Sequence, residues 1–467
     1  MIKCPNCTGE MKFSAKDQIV KCEYCGSTFD PKELNVEVKK SKEKKSKEEV
    51  EEKEKKEEST LKGTSYSCTQ CGATLMTFDE TAITFCSYCG SQNMMEDKMM
   101  TINNPDYIIP FSKTKDECIA AYKSKIKKAL FAPSYMKSDV VVEKFRGIYM
   151  PYGIYKMENH GNVSNKGSKY SHRSGNYEYY DDYRIDANVD ASYDGVSYDL
   201  LSKFYDKYST AIPFNTKEKE EFNPNYLVGF YADASDVSKD VYDRDALNVV
   251  EEDASAKMGK YKEFSKYGCS NPKAKLNVTD RKVGMFPVYF LAIRDKKNQN
   301  INYAIVNGQT GQVAADIPID FKKYIIASLI LAVIIFLLID SKLVLTPKVV
   351  CVISAIIAVI CAITIGVQLG KIKERKAHLD DKGYRSINKD IKKVKGENAF
   401  LHMYKTILAV VIPIIALFSN AVDDKFYYSA AVISLGLVVL SFRNIVKEHN
   451  IMVSNALPQL EKRGGEE

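Results

Sequence analysis

Eight of the twelve cysteines fall into two copies of one pattern. The first copy reads Cys4-Pro-Asn-Cys7 and Cys22-Glu-Tyr-Cys25-Gly-Ser; the second reads Cys68-Thr-Gln-Cys71 and Cys86-Ser-Tyr-Cys89-Gly-Ser, and in both 14 residues separate the two pairs. Two thiolates with two residues between them turn toward one ion at about 2.3 Å, and a second pair completes a tetrahedron with no position left open. The pattern predicts two structural zinc ions, one held by Cys4, Cys7, Cys22 and Cys25, the other by Cys68, Cys71, Cys86 and Cys89. Two disulfides per copy, or a rubredoxin-like iron centre, would use the same residues. A unit of about thirty residues is below the size that a hydrophobic core stabilises alone, whereas structural zinc contributes roughly 10–16 kcal/mol, so metal binding and folding are expected to be one event. Gly26 and Gly90 each follow a second pair and let the backbone bend closely around sulfur.

The C-terminal third imposes a different solvent. Phe321–Ile339, Val349–Leu369, Tyr404–Ser419 and Phe426–Phe442 are apolar, and the first two are long enough to cross a bilayer at 1.5 Å per residue. The last two are short, and Pro413 inside the third frees a carbonyl that neighbouring helices must shield. Residues 370–405 carry eleven basic against five acidic side chains, which places that loop in the cytoplasm. An even number of spans then puts the N-terminal domains and the C-terminus there too. Reduced cytoplasmic thiols favour metal over disulfides.

Between the cysteine modules, Lys39–Glu58 holds nine lysines and eight glutamates, a solvated spacer expected to leave the first module free to reach a partner. Beyond the second module, Thr114 and Glu117 form a capping-box sequence, followed by the apolar face Cys118, Tyr122, Ile126 and Leu130. Residues 285–293, 301–306 and 312–317 read as strands of a meander. Tyrosines are dense from Tyr170 to Tyr208 among Asp181, Asp182, Asp186, Asp190, Asp194 and Asp199, as paired strands with aromatic faces or a surface for a peptide or basic ligand. Asp186, Asn188 and Asp190 begin like a calcium loop, but Ala191 stands where glycine is required and Ser197 where glutamate should close the shell. His160, His172, His378, His402 and His449 have no catalytic context, and no phosphate-loop sequence occurs, so no nucleotide is expected. The fold class is thus multidomain: zinc ribbon 1 at 1–31, a charged linker at 32–61, zinc ribbon 2 at 62–97, a mixed α+β cytoplasmic domain at 98–320, and an all-α transmembrane region of about four helices at 321–467.

Charge decides what the ribbons can bind. The first is neutral and the second carries a net three negative charges before any metal site adds more, whereas phosphate binding needs a basic face. Lys12, Lys16 and Lys21 offer the first ribbon a small local patch. Nucleic acid is therefore disfavoured as a partner against a protein. The twin repeats, followed by Tyr107-Ile-Ile-Pro110-Phe, Gly147-Ile-Tyr-Met-Pro151-Tyr, the Asn307-Gly-Gln-Thr-Gly311 turn and hydrophobic spans, resemble a family of bacterial membrane proteins with TFIIB-type zinc ribbons, often labelled primosomal-helicase-like. The resemblance covers residues 1 to about 340 and implies no catalytic residues, only the eight ligands. The expected protein is membrane-anchored and non-catalytic, a cytoplasmic scaffold or sensor for a protein partner. The alternatives are a membrane-tethered nucleic-acid regulator and an enzyme with its site in the Tyr/Asp-rich middle.

Overall fold

The computed structural model describes residues 3–34, 60–78, 82–138, 144–201, 204, 206–209, 211–236, 240, 242–269, 272–294, 301–339, 346–378, 391–419 and 422–453. The first cysteine module contains β1 (Met11–Ser14), β2 (Ile19–Cys22) and β3 (Thr28–Phe29), an antiparallel sheet of its own. The second contributes β4 (Thr60–Cys68), β5 (Thr74–Thr77) and β6 (Met94–Asn103) to an 11-stranded sheet. That sheet continues through β7 (Tyr107–Ile108), helix α1 (Lys115–Lys128), β8 (Arg146–Ser174) and β9 (Tyr177–Asp199). After a single turn α2 (Asp206–Ser209) come β10 (Glu220–Glu221), β11 (Tyr231–Ala232) and helices α3 (Asp243–Met258) and α4 (Lys262–Lys266). The expected meander closes the domain as β12 (Asn277–Arg294), β13 (Ile301–Asn307) and β14 (Val313–Ala315).

β8 and β12 pair antiparallel from Arg146 to Glu158, and β13 flanks β12. Every residue of β13 is buried, which a strand achieves only when both faces are covered. Successive side chains point to opposite sides, and the core divides accordingly. Tyr149, Tyr289, Leu291, Ala304 and Val306 pack with the first module's Met11, Phe13 and Val20. Ile148, Met150, Phe286, Phe290 and Ile305 pack with the second module's Leu75, Cys86 and Tyr88. The first module therefore covers one face of the sheet and the second cysteine loop packs on the other, while β5 of the second module lies within the sheet and sends Met76 to the first module's side.

This arrangement differs from ribbons standing apart from the middle domain. Phe13 N donates to Val228 O at 3.1 Å, Gln18 Nε2 to Phe111 O at 2.7 Å, and the side-chain amides of Asn223 and Asn225 both donate to Pro31 O. The first module is seated, whatever the path of residues 35–59, which lie outside the described residues. Nor does the second module end at 97, because β6 pairs with β4 from Met94 to Asn103. An apolar surface that small modules cannot bury internally is buried by sharing a core.

The capping box at α1 is present: Glu117 N donates to Thr114 Oγ1 at 3.3 Å and Thr114 N to Glu117 Oε2 at 2.7 Å. Cys118, Tyr122 and Ile126 are buried, and burial pushes the Cys118 thiol up to about 12, as befits a core thiol. Leu130 departs from the expected face and is 76% exposed, because the helix stops at Lys128 and the chain leaves its register. The Tyr/Asp-rich segment is the far strand of a long hairpin, turning at Gly175 with φ 61°. Beyond Glu158 and Asn277, β12 no longer accompanies β8. α3 packs against one face of the outer hairpin through Ala246, Val250 and Ala254.

Four helices follow: α5 (Phe321–Ile339), α6 (Pro347–His378), α7 (Ile391–Phe418) and α8 (Asp424–Val453). Among the described residues two stretches are long and apolar enough to cross a membrane, Pro347–Gly370 with mean hydropathy 2.9 and Asp424–Asn450 with 1.8. Of the four expected stretches, two are thus long and apolar enough among the described residues; Tyr404–Phe418 remains short, and the side chains of 331 and 334–339 in α5 lie outside the described residues. The fourth stretch is longer than it looked, because one helix carries it through Asn450. Only 22% and 33% of the two apolar windows are buried, and Ile356, Ile360, Ile363 and Val432 stand more than half exposed. The basic loop 370–405 falls mostly where side chains are not described.

Pro413 finds the shield that its position in α7 requires. The carbonyl it deprives of a partner belongs to Ala409, and the buried Ser434 hydroxyl of α8 donates to that oxygen at 2.6 Å. Cys351 Sγ of α6 donates to the Pro413 carbonyl at 3.4 Å. Ser434→Ala is expected to destabilise the bundle by about 1 kcal/mol. The loss should shrink in a Pro413→Ala background, where residue 413 regains an N–H for Ala409. A double-mutant cycle on unfolding in detergent measures that coupling.

Candidate metal centres

Each cysteine pair sits in the same backbone turn. The first cysteine's N–H donates to the carbonyl five residues on, and the N–H four residues on donates back to its carbonyl: Cys4 with Gly9 and Thr8, Cys22 with Ser27 and Gly26, Cys68 with Ala73 and Gly72, Cys86 with Ser91 and Gly90. Closing so tight a turn puts the residue after the second cysteine in the left-handed region. Gly26, Gly72 and Gly90 take φ of 75°, 70° and 68°, and Thr8 takes 60°. Glycine does this without penalty; a β-branched threonine does not. Gly72 and Thr8 occupy the same place after the second cysteine as Gly26 and Gly90, so the C-x-x-C-(Gly/Thr) frame marks all four turns.

The turns bring all eight cysteines into two groups of four, each with its sulfurs within 4.8 Å of one another. The nearest separations are Cys4–Cys25 at 3.6 Å, Cys7–Cys22 at 3.5 Å, and Cys68–Cys89 and Cys71–Cys86 at 3.6 Å. A tetrahedron with metal–sulfur bonds of about 2.3 Å has edges of about 3.8 Å, so the donor set fits a four-coordinate ion. Disulfide bonding would require about 2.05 Å, and all eight thiols are free. Either group could hold a metal ion, and four sulfur donors leave no position for substrate.

Their settings differ. In the second group all four cysteines are buried; in the first, Cys7 is half-buried and Cys25 exposed. Hydrogen bonds from the Ser27 hydroxyl and amide lower Cys25 to about 6, and the hydrogen bond with Cys86 lowers Cys68 to about 6. The tyrosine of the shared C-x-Tyr-C element also parts company with itself. Tyr24 is 87% exposed, whereas Tyr88 is 1% exposed, donates its hydroxyl to Asp233, and accepts the Tyr303 hydroxyl at its carbonyl at 2.8 Å. Desolvation holds the Tyr88 phenol well above its ordinary range. These partners come from β13 and the segment after β11, far along the chain, and no local signal announces them.

Among the described residues, no other group of three or more His, Cys, Asp or Glu residues converges in this way. Asp186, Asn188 and Asp190 lie on one extended strand, where alternate residues are about 7 Å apart, so they form no calcium loop. Of the lysines on the first module, Lys12 is engaged by Glu23 at 2.8 Å. His160 binds Asp190 at 2.7 Å, and His172 stacks on Tyr179. Tyr208 donates to Asp316 inside the core, a buried pair.

The chain is similar to an uncharacterised protein, YdjG, of Bacillus subtilis (strain 168), 26% identical over 232 residues. The match takes in 47% of this chain and 65% of that relative, so it spans less than two thirds of the relative's length. No protein-family profile and no solved structure matches the chain.

Two predictions follow the difference between the groups. Thr8→Gly is expected to stabilise the first module by about 1 kcal/mol, because it removes a left-handed β-branched residue; thermal unfolding of the metal-loaded protein reads the gain. A chelator with a metallochromic dye is expected to draw the metal in two steps, the half-exposed first site well before the buried second. Cys25→Ser should abolish only the first step, and Cys86→Ser should also destabilise the sheet domain, as limited proteolysis would show.

Proposed function

We propose that the chain is a membrane-anchored, non-catalytic protein with two zinc ribbons of the TFIIB type, which recruits or senses a protein partner at the cytoplasmic face of a bacterial membrane. The observation that carries this reading is the closed character of both cysteine groups. Four sulfurs converge on one point, with no open position, and their modules are built into the core of the sheet. Metal in such a setting serves the fold, and function falls to surfaces. Zinc suits four thiolates in a closed tetrahedron in a reducing compartment.

Several observations support the membrane part of the reading. The exposed apolar side chains of α5, α6 and α8 need an apolar solvent. The Asn450 side chain near the end of α8 both donates to and accepts from the Ile319 backbone just before α5. These bonds keep residue 450 beside residue 319, which supports an even number of spans. Lys323 also donates to Ala132 O, and Tyr324 packs edge-on to Phe131. The basic loop 370–405 supports placing that side in the cytoplasm.

Purified full-length protein in detergent should contain two zinc ions per chain, and a content of zero would overturn the metal assignment. Photo-crosslinking in intact cells followed by affinity purification should recover protein. Recovery of nucleic acid alone, released by salt, would instead establish the nucleic-acid regulator.

A further inference from the structure

The hairpin β8–β9 presents a strand edge that nothing else in the sheet occupies. From Tyr177 to Asp194 the backbone of β9 pairs with β8 on one side, and among the described residues no strand pairs with it on the other. The edge is first covered at Gly195, where the Thr216 hydroxyl donates to its carbonyl at 2.8 Å. Eighteen residues of extended chain make an edge of about 60 Å, far longer than the few residues at which exposed edges are usually kept.

One face of this strand is taken. Ile185, Ala187, Val189, Ala191 and Tyr193 turn toward α3, and Tyr193 donates to Asp253 at 3.0 Å. The other face is open and acidic. Asp182, Asp186, Asp190 and Asp194 recur every fourth residue, all exposed, and with Glu178 and Asp181 they give the strand six exposed carboxylates against the single Arg184, itself held by Asp186 at 3.1 Å. The cations of the arm outside β9, Lys156, Lys166 and Lys169 among them, lie on β8, one strand back from the edge; Lys156 is engaged by Glu158 at 2.7 Å, and His160 of β8 binds Asp190 at 2.7 Å.

We propose that the outer edge of β9 takes up an extended basic segment of a partner protein as an added strand. Main-chain hydrogen bonds to the open edge would supply affinity, and lysines or arginines on alternate residues would face the carboxylates. The same charges discourage a second copy of this chain from pairing edge to edge, since each copy would bring six carboxylates and one arginine. The inference deepens the partner reading above by naming the partner's chemistry and the surface it meets.

The test uses full-length protein in detergent and a fluorescent peptide of about ten residues alternating lysine and valine. Saturable binding is expected, with hydrogen exchange slowed in residues 183–192. Replacing two valines by proline, which keeps the charge and removes ladder donors, should weaken binding about tenfold or more, as should Asp186→Lys/Asp190→Lys in the protein. Equal binding of the proline peptide would reduce the edge to a plain acidic surface and overturn the proposal. So would absence of binding, or unchanged binding by the double variant. If the peptide fails while in-cell crosslinks capture a protein through other surfaces, this inference falls and the partner reading stands; if crosslinks capture no protein, the partner reading falls.

Discussion

The inner stretches of β8 (148–155) and β12 (284–293), together with β13, are buried on both faces, and such strands hold together only if two separate surfaces are closed over them. One face is closed by the first cysteine module and α1, the other by the second cysteine loop around Ile83, Cys86 and Tyr88 with its neighbours. Neither module has enough apolar residues for a core of its own, and the sheet cannot dispense with either cover. An ion held by either group of four sulfurs would act at one remove from its own loops: by joining two small turns it would keep the surface packed on the sheet in shape.

The two modules share ligands, spacing and turn geometry, yet they are not two copies of one fold. In the first, a hairpin between the cysteine pairs forms its own sheet; in the second, the strand after the first pair turns back onto the strand before it and joins the large sheet. Turn geometry is local, set by four residues and a positive φ. Strand pairing is not, and each module completes its pairing with what its side of the domain offers. The buried second site and the half-exposed first site follow from that difference.

Among the described residues the helical region meets the sheet domain through Asn450 on Ile319, Asp320 on Phe131, Lys323 on Ala132 and Tyr324 on Phe131. Within the bundle the ladder is broken at Pro413, and the orphaned Ala409 carbonyl is answered by one hydroxyl from α8.

Much of this was legible in the chain. The eight cysteines, the α1 capping box, the last meander and the positions of the helices are all set by short-range pattern, because turn, cap and apolar period act over a few residues. Even the need for a partner at Pro413 follows from its missing N–H. What pattern could not reveal is which surfaces meet. Tyr24 and Tyr88 occupy the same place in the same repeat, one in solvent and one buried on Asp233. Leu130 continues an apolar face on paper and stands in water. The tethered first ribbon turned out to be seated, through Asn223 and Asn225, nearly two hundred residues away. The sequence by itself determined where sulfur could gather and where the backbone must bend, since both depend on neighbours along the chain. Only the tertiary structure decided which face of the sheet each cysteine loop covers and that, among the described residues, β9 pairs along one edge alone, since burial depends on residues distant in sequence.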